Sequence, residues 1–210
     1  MIPAKETSTG VKDKNLKHLN GKPLITYTIE AALNSMLLDE VWVNSDSELI
    51  LRMAEDLGCK AYKRDKNLAE KRSSMTSVVI DFNENYKRDY EALILLQPTS
   101  PLRNSDHIDM AIRKYDIEGK DTLVSINRRA ALNAWRDNYE KNFPLNRSTQ
   151  RQDRDMLNVE NGAIYITKRS YLNKFKNISN LEPAFYNMSK ISSIDVDDYD
   201  DWKICERLLR

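Results

Sequence analysis

Leu93-Ile94-Leu95-Leu96, four apolar residues without a polar break, constrain this chain more than any other stretch. A run this short and this apolar reads as a strand buried on both faces, in a sheet covered by helices. At Gln97 the chemistry changes. Gln97, Thr99, Ser100 and Arg103 offer amide, hydroxyl and guanidinium groups, while Pro98 and Pro101 remove two backbone donors and stiffen the turn. A helical pattern follows from the possible N-cap Ser105 through Ile108, Ala111 and Ile112. Strand, polar loop, helix is the arrangement in which open α/β sheets bind ligands, at the carboxyl ends of the strands.

The rest of the chain repeats that alternation. Met1 to Ala4 read as the end of a strand, and a polar loop runs from Lys5 to Lys14. Asn20-Gly21 is a turn, and Pro23 stands at the first turn of a helix reaching about Ser35. Val41-Trp42-Val43 is a strand, Glu48 to Leu57 a helix stopped by Gly58, and Ala61-Tyr62 a further extended piece. A charged loop, Arg64 to Ser73, precedes a helix from Thr76 to Tyr86. Strands are expected within Asp121–Ile126, at Ala163–Ile166 and at Ile191–Val196, the second preceded by a turn at Glu160-Asn161-Gly162. Short helices at Ser170–Phe175 and Asp200–Leu209 complete the pattern, which predicts an α/β layer fold with a mostly parallel sheet. Residues 128–158 are polar and lack a clear period, and so long an irregular stretch implies a lid, an arm or an interface.

Length and charge narrow the function classes. At 210 residues a single domain, 1–210, with a real core is expected. Lys plus Arg number 33 against 32 Asp plus Glu, a formal net charge of +1, so no broad basic footprint for nucleic acid is expected. Two cysteines, Cys59 and Cys205, are too few for a disulfide framework and read as cytosolic thiols. No apolar run approaches the ~20 residues needed to span a bilayer, so a soluble cytoplasmic protein is expected.

Two segments carry candidate chemistry beyond Gln97–Arg103. In Ser193-Ile194-Asp195-Val196-Asp197, alternate residues of a strand share a face, so two carboxylates would aim at one point, as Mg²⁺ bound with water and phosphates requires. A solvated acidic loop capping the last helix is the competing reading, since Asp198 and Asp200 follow. Lys5 to Asn15 is a candidate phosphate cradle through backbone amides, Ser8 and Thr9, and Lys5, Lys12 and Lys14, although it matches neither the Walker pattern nor the dinucleotide fingerprint. A plain solvated loop fits it equally. Arg151 reads as an anion ligand or as a surface charge.

Several of these stretches, in order and spanning nearly the whole chain, resemble the acylneuraminate cytidylyltransferases. The resemblance rests on Ile2-Pro3-Ala4, Lys14-Asn15, Asn20-Gly21-Lys22-Pro23-Leu24, Tyr27 to Ala32, Ser45-Asp46, Gln97 to Arg103, Asn161 to Ile166 and Ser193 to Asp197. It implies a Rossmann-like nucleotidyltransferase fold with helices on both faces, and an arm within 128–158 exchanged in a homodimer. The implied reaction is Mg²⁺-dependent transfer of CMP from CTP to the anomeric hydroxyl of sialic acid or a related nonulosonic acid, releasing pyrophosphate. Catalysis would fall to Lys5, Lys14, Asp195 and Asp197, the two aspartates holding the metal. Ala4, Lys5, Ser8, Lys12, Lys14, Asn15 and Ser74 would meet the nucleotide. Gln97, Thr99, Ser100, Arg103, Arg151, Asn161 and Gly162 would meet the sugar. Legionaminic or another keto-sugar acid is the alternative substrate, and a non-catalytic nucleotide- or sugar-binding relative the alternative class.

The departures cluster in the first loop. The family reads Arg-Gly-Gly-Ser-Lys-Gly-Ile-Pro where this chain has Lys5-Glu6-Thr7-Ser8-Thr9-Gly10-Val11-Lys12. Lys5 keeps a charge but loses the bidentate fork, whose charge-assisted bonds are worth ~1.5–3 kcal/mol each. A Glu6 carboxylate ~4 Å from a phosphate charge would cost roughly 4 kcal/mol at an effective dielectric of about 20. It must therefore point away, pair with Lys12 or weaken CTP binding. Thr9 removes a lysine that Lys12 could replace, Glu70-Lys71-Arg72 stand where the family has Ser-Asp-Thr, and the first strand lacks its start.

Overall fold

The computed structural model describes residues 1–8, 10–70, 73–130 and 155–210. Its strands are β1 (Ile2–Pro3), β2 (His18–Leu19), β3 (Lys22–Pro23), β4 (Trp42–Ser45), β5 (Lys60–Lys63), β6 (Ala92–Leu96), β7 (Thr122–Ala130), β8 (Met156–Lys168) and β9 (Ala184–Asn187). Its α-helices are α1 (Leu24–Leu33), α2 (Glu48–Asp56), α3 (Met75–Asn85), α4 (Ser105–Glu118), α5 (Arg169–Phe175) and α6 (Tyr199–Leu208).

Strands β5, β4 and β1 pair in parallel, and β6, β8, β7 and β9 form a second ladder. Met1 joins the two: its amine donates to the Ile94 carbonyl at 2.7 Å, and Leu96 N–H donates to the Met1 carbonyl at 3.0 Å. The resulting order is β5-β4-β1-β6-β8-β7-β9, with β8 alone running against its neighbours. This is the mostly parallel sheet expected from the alternating pattern.

The apolar run Leu93 to Leu96 explains the layering. Leu93 and Leu95 pack on one side with Val78, Val79 and Phe82 of α3 and Leu172 of α5. Leu96 packs on the other with Ile25 and Ile29 of α1, Ile50 of α2 and Ile108 of α4. Successive side chains leave a strand on opposite faces, so a strand apolar at every position needs helices on both. A third apolar group, with Val11, Leu19, Leu24, Val196, Trp202 and Cys205, closes the corner where the first loop meets α6.

Four expectations are corrected. The strands expected at Asp121–Ile126 and Ala163–Ile166 extend to Ala130 and back to Met156, paired from Ile126↔Glu160 to Ala130↔Met156. Residues 128–130 and 156–158, expected to be irregular, are thus a ribbon whose outer part is exposed or half-buried and lacks an apolar face to pattern it. Residues 131–154 of the expected arm, with Arg151, lie outside the described residues, as does Thr9. Glu160-Asn161-Gly162 is no terminal turn but part of β8, where the register against β7 shifts and Gly162 takes φ +73°. Ile191–Val196 is no strand: Ser193 N–H bonds the Ser189 carbonyl and Ile194 N–H that of Ile191, making a turn. The last strand is β9 instead. The α4 cap is Asn104 rather than Ser105, in a capping box with His107.

Candidate active site at the carboxyl ends of the strands

Four segments meet beyond the carboxyl ends of β1 and β6. The first loop is held largely by its own bonds. Ala4 N–H donates to the Asn44 carbonyl of β4 at 2.9 Å, and Asn15 Nδ2 donates to the Lys5 carbonyl at 2.9 Å. Ser8 Oγ donates to the Val11 carbonyl and accepts from Lys14 N–H, both at 2.7 Å. Ser8 and Asn15 therefore shape the loop rather than project from it. Gly10 is required by contact: a Cβ there would lie 2.1 Å from the Asp197 carbonyl oxygen.

Lys14 crosses to the last segment, its Nζ donating to the Val196 carbonyl at 2.5 Å and lying 4.0 Å from Asp197 Oδ1. Burial lowers the Lys14 pKa, opposed by the carboxylates of Asp197, Asp195 and Asp201. Asp195 shifts the other way. Burial pushes its carboxyl above the ordinary range and the Asp197 charge adds to this, while the Thr99 hydroxyl and Lys14 oppose it. Thr99 Oγ1 and Asp195 Oδ1 are nevertheless both buried without a hydrogen-bond partner among the described residues. Asp197 is open to solvent, its side chain 80% exposed. Although the segment is not a strand, Val196 turns into the core between the two carboxylates, so the alternation survives.

The Gln97–Arg103 loop is tied to this segment by Val196 N–H, which donates to the Thr99 carbonyl at 2.8 Å. Gln97 and Asp195 converge on Gly162: a Cβ there would stand 3.4 Å from Asp195 Oδ2 and 3.7 Å from Gln97 Oε1. Asn161 holds that bulge in place. Its Oδ1 accepts from Ser125 Oγ at 2.6 Å and Ala163 N–H at 3.2 Å, and its Nδ2 donates to Ser193 Oγ at 2.9 Å.

Several residues expected to meet ligand sit elsewhere. Asn161 is committed to the internal bonds above. Ser100 and Arg103 are buried under the loop, Arg103 with 2% exposure. Ser74 caps α3, accepting from Ser77 N–H at 3.0 Å. Glu6 is turned aside: its N–H donates to Asp46 Oδ1 at 3.0 Å and its Oε1 accepts from Ser47 Oγ, the α2 N-cap residue, at 3.2 Å. Of the three outcomes open to Glu6, the structure takes the first.

Two residues were missed from sequence. Arg64, just past β5, is buried and clamps the end of β4, Nε to Asn44 Oδ1 at 2.6 Å and Nη2 to the Asn44 carbonyl at 2.8 Å. Its position after a strand of the parallel set was the available signal. Thr28, buried in α1, accepts from Arg103. Its placement in an apolar helical stripe gave no warning.

The cytidylyltransferase family model matches residues 1–206. Over 97% of its length this chain is 34% identical to the N-acylneuraminate cytidylyltransferase of Escherichia coli O18:K1:H7, covering 50% of that protein. It is 32% identical over its whole length to the CMP-N,N'-diacetyllegionaminic acid synthase of Legionella pneumophila, covering 94% of it. It thus spans about half the length of the N-acylneuraminate cytidylyltransferases it matches. The fold is similar to that of a CMP:2-keto-3-deoxy-manno-octonic acid synthetase solved with CTP, at a TM-score of 0.74 and 17% identity over 99% of this chain and 96% of the other. With the alternating strands, the meeting of Lys14, Asp195 and Gln97 and a match over nearly every residue, the chain belongs to the cytidylyltransferase family.

Proposed function

We propose that this chain transfers CMP from CTP to the anomeric hydroxyl of a sialic- or legionaminic-type nonulosonic acid. The hydroxyl oxygen attacks the α-phosphorus in line and gives up its proton to solvent, the new C–O–P link forms, the α–β phosphoanhydride breaks, and pyrophosphate leaves. The observation that carries this reading is the convergence of Lys14, Asp195 and Gln97 at the strand ends, with Gly162 leaving room between the last two. The protein's work is positioning and electrostatics.

Lys14 would meet the phosphates, its ammonium already held against the Val196 carbonyl. Ala4 and Asn15 would define the nucleotide side through the backbone they fix, with Lys5 and Lys12 as its further charges. Gln97 and Thr99 would face the sugar. Asp195 and Asp197 suit a Mg²⁺ ion, because Asp195 Oδ1 has no hydrogen-bond partner among the described residues and Asp197 is open to solvent. When bound, Mg²⁺ would neutralise phosphate charge and lower the pKa of the attacking hydroxyl. The β7–β8 ribbon leads into the proposed dimer arm, which sedimentation would test. Two free, buried cysteines suit the cytoplasm, and among the described residues no helix is long and apolar enough to cross a membrane.

The deciding experiment is pyrophosphate release from CTP with Mg²⁺ and a panel of nonulosonic acids, beside an Asp195→Ala, Asp197→Ala control. Acid-dependent release that the control loses supports the reading and names the substrate. Absence of release with every acid, together with absence of CTP binding by calorimetry, overturns it.

A further inference from the structure

Arg103 is the largest fully buried side chain among the described residues. Its Nη2 donates to Thr28 Oγ1 at 2.6 Å, and the Thr28 hydroxyl in turn donates to the Gln97 carbonyl at 3.4 Å. Nε and Nη1 have no hydrogen-bond partner among the described residues. Burial lowers the Arg103 pKa, to about 9, and among the described residues no carboxylate opposes it. A guanidinium taken out of water without an anion opposes folding, and an apolar side chain of similar volume would hold that position at less cost. The same loop also carries the buried hydroxyls of Thr99 and Ser100, which have no hydrogen-bond partner among the described residues. A buried charge that costs stability is more easily explained by what it positions than by what it stabilises.

We propose that Arg103 is a positioning residue for the acid substrate, acting through Thr28 on the Gln97 backbone and so on the Gln97 side chain beside Asp195. This rests on the function proposed above and deepens it. The Arg103 side chain meets no substrate; it fixes where Gln97 stands, and the relay reaches the sugar side of the site without passing through the Lys5–Asn15 loop. Losing the relay should therefore cost acid binding more than CTP binding.

The test uses Arg103→Met, Arg103→Lys and Thr28→Val beside the wild type. Melting temperature and kcat and KM for each substrate are measured by pyrophosphate release. Expected are a KM for the acid raised about tenfold in Arg103→Met and Thr28→Val, a KM for CTP within about twofold, and partial recovery in Arg103→Lys. The melting temperature of Arg103→Met should stay level or rise, since the uncompensated charge is gone. Equal losses on both substrates together with a lower melting temperature would mean a merely structural role and overturn the inference. Wild-type KM values for the acid in Arg103→Met and Thr28→Val would overturn it too. If Arg103→Met does not fold, Thr28→Val decides, because it cuts the relay and leaves the charge in place. Wild type that turns over no acid would remove the functional reading and this inference with it; wild-type turnover with indifferent variants would remove the inference alone.

Discussion

Two carboxylates at opposite ends of the same sheet are treated in opposite ways. Glu40, before β4, accepts from Trp42 Nε1, Tyr86 OH and Arg88 Nη1, each at 2.8 Å, and from Lys60. The Lys60, Trp42 and Tyr86 bonds hold its pKa down at about 2. Asp195, beyond the other end, is pushed up by burial and keeps one oxygen without a partner among the described residues. Trp42 and Tyr86, which bond the satisfied carboxylate, belong to an aromatic cluster with Phe82 and Tyr90. Buried atoms of Thr99, Ser100 and Arg103 without partners among the described residues accompany the other. The amino end is built for stability, and the carboxyl end gives stability up where a ligand could recover it.

Exchanging the two treatments should break this contrast most visibly at Asp195. Asp195→Asn should lower kcat by about 10³-fold, roughly 4 kcal/mol of transition-state stabilisation, in the pyrophosphate-release assay. Its melting temperature at pH 7 should hold or rise. A carboxylate whose folded pKa exceeds its unfolded value makes a destabilising contribution that is absent at low pH and grows as pH rises through that folded value, and the amide removes it. Gly10→Ala should come next, with kcat down about 10²-fold and a stability loss of about 1–3 kcal/mol by denaturant titration, because its Cβ meets the Asp197 carbonyl and not a movable side chain. Glu40→Gln should leave kcat unchanged yet lower the melting temperature at pH 7 by about 2–4 °C. The sign follows from its depressed pKa: the stabilisation is present above the unfolded value and is lost as pH falls through about 2. The wild-type advantage over Glu40→Gln should therefore shrink steadily in acid, as melts at a series of pH values would show.

What could be read from the sequence follows from burial. Leu93–Leu96 and Ala163–Ile166 were legible as strands because their surroundings are apolar and leave a run. The outer β7–β8 ribbon was not, since Arg128, Arg129 and Asn158 are exposed and carry no period. The Ile194-Asp195-Val196-Asp197 alternation was legible, but its strand was not real. The bonds of Ser192 and Ser193 to Ser189 close a turn ahead of it, and hydroxyls compete with strand pairing in a way that alternation does not record. In sequence Arg103 reads as facing ligand because it stands in a polar loop. Sequence does not say which polar side chains of such a loop turn inward, and Arg103 and Ser100 do.

Glu6 is the smallest expected effect and the sharpest test of the first loop. Read from sequence alone, a carboxylate in a phosphate cradle should repel CTP by roughly 4 kcal/mol, so Glu6→Gln would tighten CTP about 10³-fold. Its carboxylate instead accepts from Ser47 at the start of α2, and its own amide is held by Asp46. An acidic group beside a helix amino terminus is electrostatically favourable, by about 0.3–1 kcal/mol when exposed. Glu6→Gln should therefore change KM for CTP by less than about twofold and lower stability only slightly. Lys12→Ala should weaken CTP binding more than Glu6→Gln strengthens it, if the cradle's charge comes from its lysines. A large gain in CTP affinity from Glu6→Gln, measured by calorimetry, would mean that the carboxylate swings toward the phosphates when nucleotide binds, and that the loop is not the settled element its internal bonds to Ser8 and Asn15 make it.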